Sequence, residues 1–146
     1  MRCNILLVED DDVAAEAMQR GLKKAQVPFS ITVAEDGLVA LDILRGKHPE
    51  RKVSDPLVVL LDLNIPRMNG FEFLQEVRAD KALNALVVFV LTTSGSDIDR
   101  AKAYHENVAG YMVKDKVGPQ FSKLFRLLTE YTSTVILPEL NIPKNP

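Results

Sequence analysis

The sequence predicts an α/β protein on a mainly parallel five-stranded sheet, and three observations predict it. Short apolar runs alternate with helical patterns five times along 146 residues, the signature of repeated βα units. The run Leu57-Val58-Val59-Leu60-Leu61 has no polar alternation, as expected of a central strand covered on both faces. Chemically useful side chains follow the strands directly: Glu9-Asp10-Asp11-Asp12, Asp62, Thr92-Thr93-Ser94 and Lys114. Ligands of such sheets bind outside the carboxyl ends of the strands, so function is expected along one edge.

Strands are expected at 4–8, 30–34, 57–61, 86–91 and 110–113. Helix one is read from the stripe Val13, Ala14, Ala17, Met18 and Leu22, with acids at its start where the macrodipole favours them, and it should stop before Pro28. Helix two follows Asp36-Gly37, helix three covers 70–78 and helix four 97–106. Pro119 suits the first turn of the last helix, in which Phe121, Leu124, Phe125 and Leu128 line one face. The segment 46–56, with Lys47-His48-Pro49-Glu50-Arg51-Lys52, is too charged for a core and reads as a solvated loop. The tail from Tyr131 carries Val135-Ile136-Leu137, three aliphatics that would be unusual if exposed on a monomer. They either cover a leftover groove or pack on another chain. The Pro-rich end, Pro138 to Pro146, is expected to be extended and mobile.

Composition bounds the function classes. A chain 47% hydrophobic and 26% charged fits one globular domain. Net charge is −2 and the basic residues are scattered, so neither nucleic acid nor an anionic membrane surface is an expected partner. The single cysteine, Cys3, cannot form an internal disulfide, which suits a reducing compartment, and its expected role is strand packing. There is no signal-peptide pattern and no apolar run near the ~18 residues that span a bilayer. A cytoplasmic location is expected.

If strands one and three are neighbours, Glu9, Asp10 and Asp62 share a pocket. Two such charges ~4 Å apart repel by ~1 kcal/mol in water and ~4 kcal/mol at an effective dielectric near 20, so the site wants a cation. Its hard oxygen ligands favour Mg²⁺ over zinc. Mg²⁺ keeps waters and shares its remaining positions with phosphate oxygens, which predicts a phosphoryl site. Asp11 and Asp12 are read as caps of helix one. Phosphoryl transfer also needs hydroxyl donors and positive charge, and Thr92 and Lys114 offer them at the same edge.

An acidic pair after strand one, Asp62 after strand three, Thr92 after strand four and Lys114 after strand five resemble the response-regulator receiver domain. The Asp62-Leu63-Asn64-Ile65-Pro66-Arg67-Met68-Asn69-Gly70 loop matches as well. The resemblance implies a flavodoxin-like (βα)5 three-layer sandwich with strand order 2-1-3-4-5, a receiver over 1–133 and a C-terminal extension over 134–146. It makes Asp62 the phosphoacceptor for a sensor histidine kinase. It implies Mg²⁺ (or Mn²⁺) held by Asp10, Asp62 and the backbone carbonyl of Asn64, with Glu9 acting through water. Lys114 pairs with the phosphoryl group, Thr92 contacts it, and Tyr111 takes the aromatic switch position.

The charged loop before strand three, Leu91-Thr92-Thr93-Ser94 and Val135-Ile136-Leu137-Pro138 resemble single-domain regulators serving phytochrome-type kinases, in which the tail often helps form a homodimer. The changed surface is then expected to act on a separate downstream protein or on a second copy of this chain. One departure is Asp115, where the family usually has a cis proline after the lysine. The peptide is therefore expected to be either trans with a reshaped loop or strained. Three rival readings are weaker. A haloacid-dehalogenase-like phosphatase needs an acid two residues after its nucleophile, where Asn64 stands. A flavodoxin-like flavin binder would meet repulsion from Glu9 and Asp10. A non-phosphorylated binding module would not need all five core side chains.

Overall fold

The computed structural model describes residues 3–143. Five strands, β1 (Cys3–Val8), β2 (Phe29–Ala34), β3 (Leu57–Leu61), β4 (Val87–Thr92) and β5 (Gly110–Val113), form one parallel sheet. Its order is β2-β1-β3-β4-β5, the expected one. The helices are α1 (Asp12–Ala25), α2 (Gly37–Leu44), α3 (Gly70–Ala79), α4 (Asp97–His105) and α5 (Ser122–Thr134).

Strand alternation sorts the core into two layers. Leu6, Val8, Val59, Leu61, Val88 and Val90 face one way, against apolar residues of α2, α3 and α4. Ile5, Leu7, Val58, Leu60, Phe89 and Leu91 face the other, against α1 and α5. Both faces are covered, which is why β3 reads as an unbroken apolar run and is buried throughout. Cys3 packs in the second layer, as expected.

Four sequence expectations need correction. The buried stripe of α1 is Ala15, Met18 and Gly21, with Leu22 beside it, whereas Val13 is 73% exposed. Asp11 is the N-cap of α1, accepting from the N–H groups of Val13 and Ala14, so Val13 lies in the exposed first turn. Pro119 lies in a 3₁₀ turn ahead of α5, and Gln120 and Phe121 after it are left-handed (φ 54° and 61°), so α5 begins at Ser122. Tyr131 lies inside α5, its ring edge-on to Phe89 at 5.2 Å, so the tail starts after Thr134.

That tail is docked, where a mobile end was expected. Leu137 joins the second core layer, and Ile142 and Leu140 join the first. Asp55 Oδ2 accepts from the N–H groups of Leu140 and Asn141, each at 2.9 Å. Pro143 crosses so close to Gly46 that a Cβ there would meet its carbonyl oxygen, and the φ of +70° at Gly46 favours glycine. Leu137 thus fills a groove of its own chain while Ile136 is 97% exposed. Residues 144–146 of the Pro-rich end lie outside the described residues. The charged segment 46–56 is largely at the surface, yet it buries Val53, and Arg51 donates to the Val33 carbonyl on the edge strand and to Glu35 just after it.

Candidate phosphoryl and metal site

Side chains that follow β1, β3 and β5 converge on one point. Glu9 follows β1 and its N–H donates to the Ala34 carbonyl; Asp62 follows β3 and its N–H donates to the Val8 carbonyl. Sheet hydrogen bonds therefore fix both carboxylates at the carboxyl edge. Lys114 follows β5 and reaches back across β4, its Nζ donating to Glu9 Oε1 at 2.5 Å and to Asp62 Oδ2 at 3.0 Å. The departure at Asp115 does not disturb this placement. Asp55–Pro56 is the only cis peptide among the described residues, so Lys114–Asp115 is trans. The loop is reshaped into a 3₁₀ turn over Lys114–Lys116.

Glu9, Asp10 and Asp62 each offer a carboxylate oxygen, all within 4.8 Å of one another. Glu9 and Asp62 are buried and Asp10 is exposed. Burial, aided by the nearby Asp62 charge, pushes the Glu9 carboxyl above its ordinary value despite the Lys114 hydrogen bond. Burial also opposes the Lys114 ammonium, but its hydrogen bonds to Glu9 and Asp62 outweigh this and hold it above the usual lysine value. Three carboxylates thus face one ammonium. An all-oxygen, net-negative cluster of this kind fits a hard divalent cation.

The other predicted residues lie around this cluster. Thr92 is fully buried at the end of β4, and its Oγ1 accepts from the Ser94 N–H at 3.4 Å. Asn64 is exposed, with its N–H on Asp62 Oδ1 at 3.1 Å. Tyr111 is half-buried on β5, and its hydroxyl donates to the Ser94 carbonyl at 2.8 Å. Ser94 Oγ donates to Asp99 Oδ2 at 2.7 Å on the first turn of α4. Ser94 thereby joins Thr92, Tyr111 and α4. Asp99 was missed in the sequence, where it looks like an ordinary first-turn acid.

A family model described as "Response regulator receiver domain" matches residues 5–137. The chain belongs to this family. Receiver domains are signalling proteins, with no small-molecule substrate of their own to turn over. Among the relatives, "Probable methanogenesis regulatory protein FilR2" of Methanothrix harundinacea is 36% identical over 87% of this chain and 81% of its own length. "Response regulator Rcp1" of Synechocystis is 32% identical over 92% of each chain. A structure of its Mn²⁺-bound form superposes with a TM-score of 0.71 at 31% identity, over 92% of this chain and 98% of that one. The phosphorylated cyanobacterial phytochrome response regulator RcpA reaches a TM-score of 0.79 at 32% identity, over 95% of this chain and all of that one. The dehalogenase-like reading is set aside by the family match, as is the flavin binder. Among the described residues no helix is long and apolar enough to cross a membrane.

Proposed function

We propose that this receiver takes a phosphoryl group from a sensor histidine kinase onto Asp62, with Mg²⁺ or Mn²⁺ bound, and signals by a change of binding surface. The observation that carries this reading is the position of Lys114 Nζ between Glu9 and Asp62 beside the three-carboxylate cluster. An Asp62 oxygen attacks the donor phosphorus. The new P–O bond forms as the donor's P–N bond breaks, and the electron pair leaves with the imidazole nitrogen. Asp10, Asp62 and the Asn64 backbone carbonyl would hold the metal, with Glu9 acting through water, and the bound ion would neutralise phosphoryl charge. Lys114 stays beside Asp62 and pairs with the incoming group. Thr92 exchanges its Ser94 contact for a phosphoryl oxygen, and Tyr111 and Asp99 pass the shift to α4, β5 and α5.

Similarity to RcpA supports a phytochrome-type kinase as donor. A receiver whose last helix ends at Thr134, followed by a tail that leaves Ile136 exposed, fits a homodimer in which Ile136 contacts a second copy. Output is then passed to a separate downstream protein in the cytoplasm. Incubation with a small acyl phosphate tests the core reading. The wild type should gain an acid-stable, alkali-labile phosphoryl group that requires Mg²⁺, and Asp62→Asn should gain none. Equal incorporation by Asp62→Asn would overturn the assignment.

A further inference from the structure

The loop that carries Asp62 and Asn64 is anchored at a point remote from the carboxylate cluster. At its base the Gly70 N–H donates to the Leu63 carbonyl at 3.0 Å. Its tip meets the start of α2 in two places: Arg67 Nε donates to Asp36 Oδ2 at 2.7 Å, and the Gly37 N–H donates to the Met68 carbonyl at 3.2 Å. Asp36 is buried, and its other oxygen caps α2 by accepting from the Val39 N–H at 2.9 Å. Burial opposes its charge, but the Arg67 hydrogen bond and the α2 N–H groups outweigh this and hold its carboxyl below the ordinary value. Arg67 has a φ of 62°, a left-handed conformation that a non-glycine residue keeps only where its surroundings impose it. A Cβ at Gly37 would lie 2.8 Å from the Met68 carbonyl oxygen, so loop and helix are in backbone contact.

Capping alone does not explain Asp36. Asn or Ser would cap α2 as well, whereas only an anion at that position gives the Arg67 guanidinium a charged partner. Leu63 and Ile65 are buried on either side of the exposed Asn64. The segment is thus held at base, middle and tip.

We infer that the Asp36–Arg67 ion pair positions the metal site, fixing the loop that presents Asp62 and the Asn64 backbone to the divalent cation. Asp36 and Arg67 are positioning residues that touch neither metal nor phosphoryl group. The inference rests on the metal reading proposed above. Mg²⁺ demands near-ideal octahedral geometry, and loss of groups that orient ligands from outside typically weakens binding ~10–100-fold.

The test is Mn²⁺ titration of the full chain, followed by the electron paramagnetic resonance of free Mn²⁺, for wild type, Asp36→Asn, Arg67→Gln and the double variant. Asp36→Asn keeps the helix cap and removes only the charge. Both single variants should bind Mn²⁺ about tenfold more weakly, and the double variant no more weakly than either, because the pair acts as one unit. A long-range field would act in opposite directions, since losing an anion weakens cation binding and losing a cation strengthens it. Opposite shifts would therefore overturn the inference, as would additive losses. So would wild-type affinity in both single variants, even with lowered melting temperatures. No Mn²⁺ binding by the wild type would instead remove the metal reading itself, and this inference with it.

Discussion

A single ammonium stands between two buried carboxylates. Removing it leaves Glu9 and Asp62 facing each other with no compensating charge. Metal-free Lys114→Met should lose about 1–3 kcal/mol of stability, below the ~3–5 kcal/mol of a fully buried pair because Lys114 keeps some solvent contact. Added Mg²⁺ should raise its melting temperature more than it raises the wild type's. Thermal melts with and without Mg²⁺ check this, and equal shifts would contradict it. The pH dependence follows from the raised Lys114 value: its contribution is complete below the ordinary lysine value of 10.5 and is lost as pH rises through the raised one. The gap between wild type and Lys114→Met should therefore hold at neutral pH and close on the alkaline side above about pH 10.5. Glu9, Asp10, Asp62, Thr92 and Lys114 are each ordinary at a strand end when taken alone; it is their shared place at the carboxyl edge of one sheet that made the cluster of Glu9, Asp10, Asp62 and Lys114 legible in the sequence. Arg67 and Asp36 were not, since a loop arginine and a helix-capping aspartate are both ordinary in isolation.

Among elements, the junction of α3, β4 and α4 depends on one side chain. Arg78 donates to the carbonyls of Asn84, Leu86, Glu106 and Asn107, at 2.7 to 3.1 Å. No carboxylate pairs with it in these contacts, so its charge serves to satisfy backbone oxygens where α3, the turn before β4 and the turn after α4 meet. Arg78→Ala should cost roughly 2–4 kcal/mol. Phosphoryl uptake per folded molecule should stay unchanged, because these contacts lie at the amino-terminal ends of β4 and β5, opposite the carboxyl edge that carries the site. Chemical denaturation and phosphorylation assays on the same preparation check both parts. Element order and type were legible, because buried parallel strands and amphipathic helices leave distinct periods. The start of α5 was not. Proline at a first turn is a fair rule, but the left-handed Gln120 and Phe121 delay the helix in a way that no local preference of those residues signals. The facing of α1 was missed because Val13 looks apolar enough to be core, although it lies in the exposed first turn after the Asp11 cap.

For the molecule as a whole, the tail has two fates on adjacent residues. Leu137 closes the chain's own core, while Ile136 projects into solvent. Composition shows the surplus aliphatics and cannot divide them, because the docking depends on Asp55 accepting two backbone N–H groups from a segment distant in sequence. Ile136→Asp should shift sedimentation toward monomer without lowering the melting temperature. Truncation after Ser133 should lower both, since it also strips Leu137, Leu140 and Ile142 from the core. An unchanged sedimentation profile for Ile136→Asp would remove that residue from any dimer contact.

Borohydride trapping reads out at the residue itself whether Asp62 carries the phosphoryl group. Reduction of an aspartyl phosphate converts that residue to homoserine, which peptide mapping by mass spectrometry locates. After treatment with an acyl phosphate and Mg²⁺, homoserine should appear at position 62 and nowhere else. Homoserine at Asp10 or another acid, or none beside a demonstrated alkali-labile phosphate, would show that Asp62 is not the phosphoacceptor.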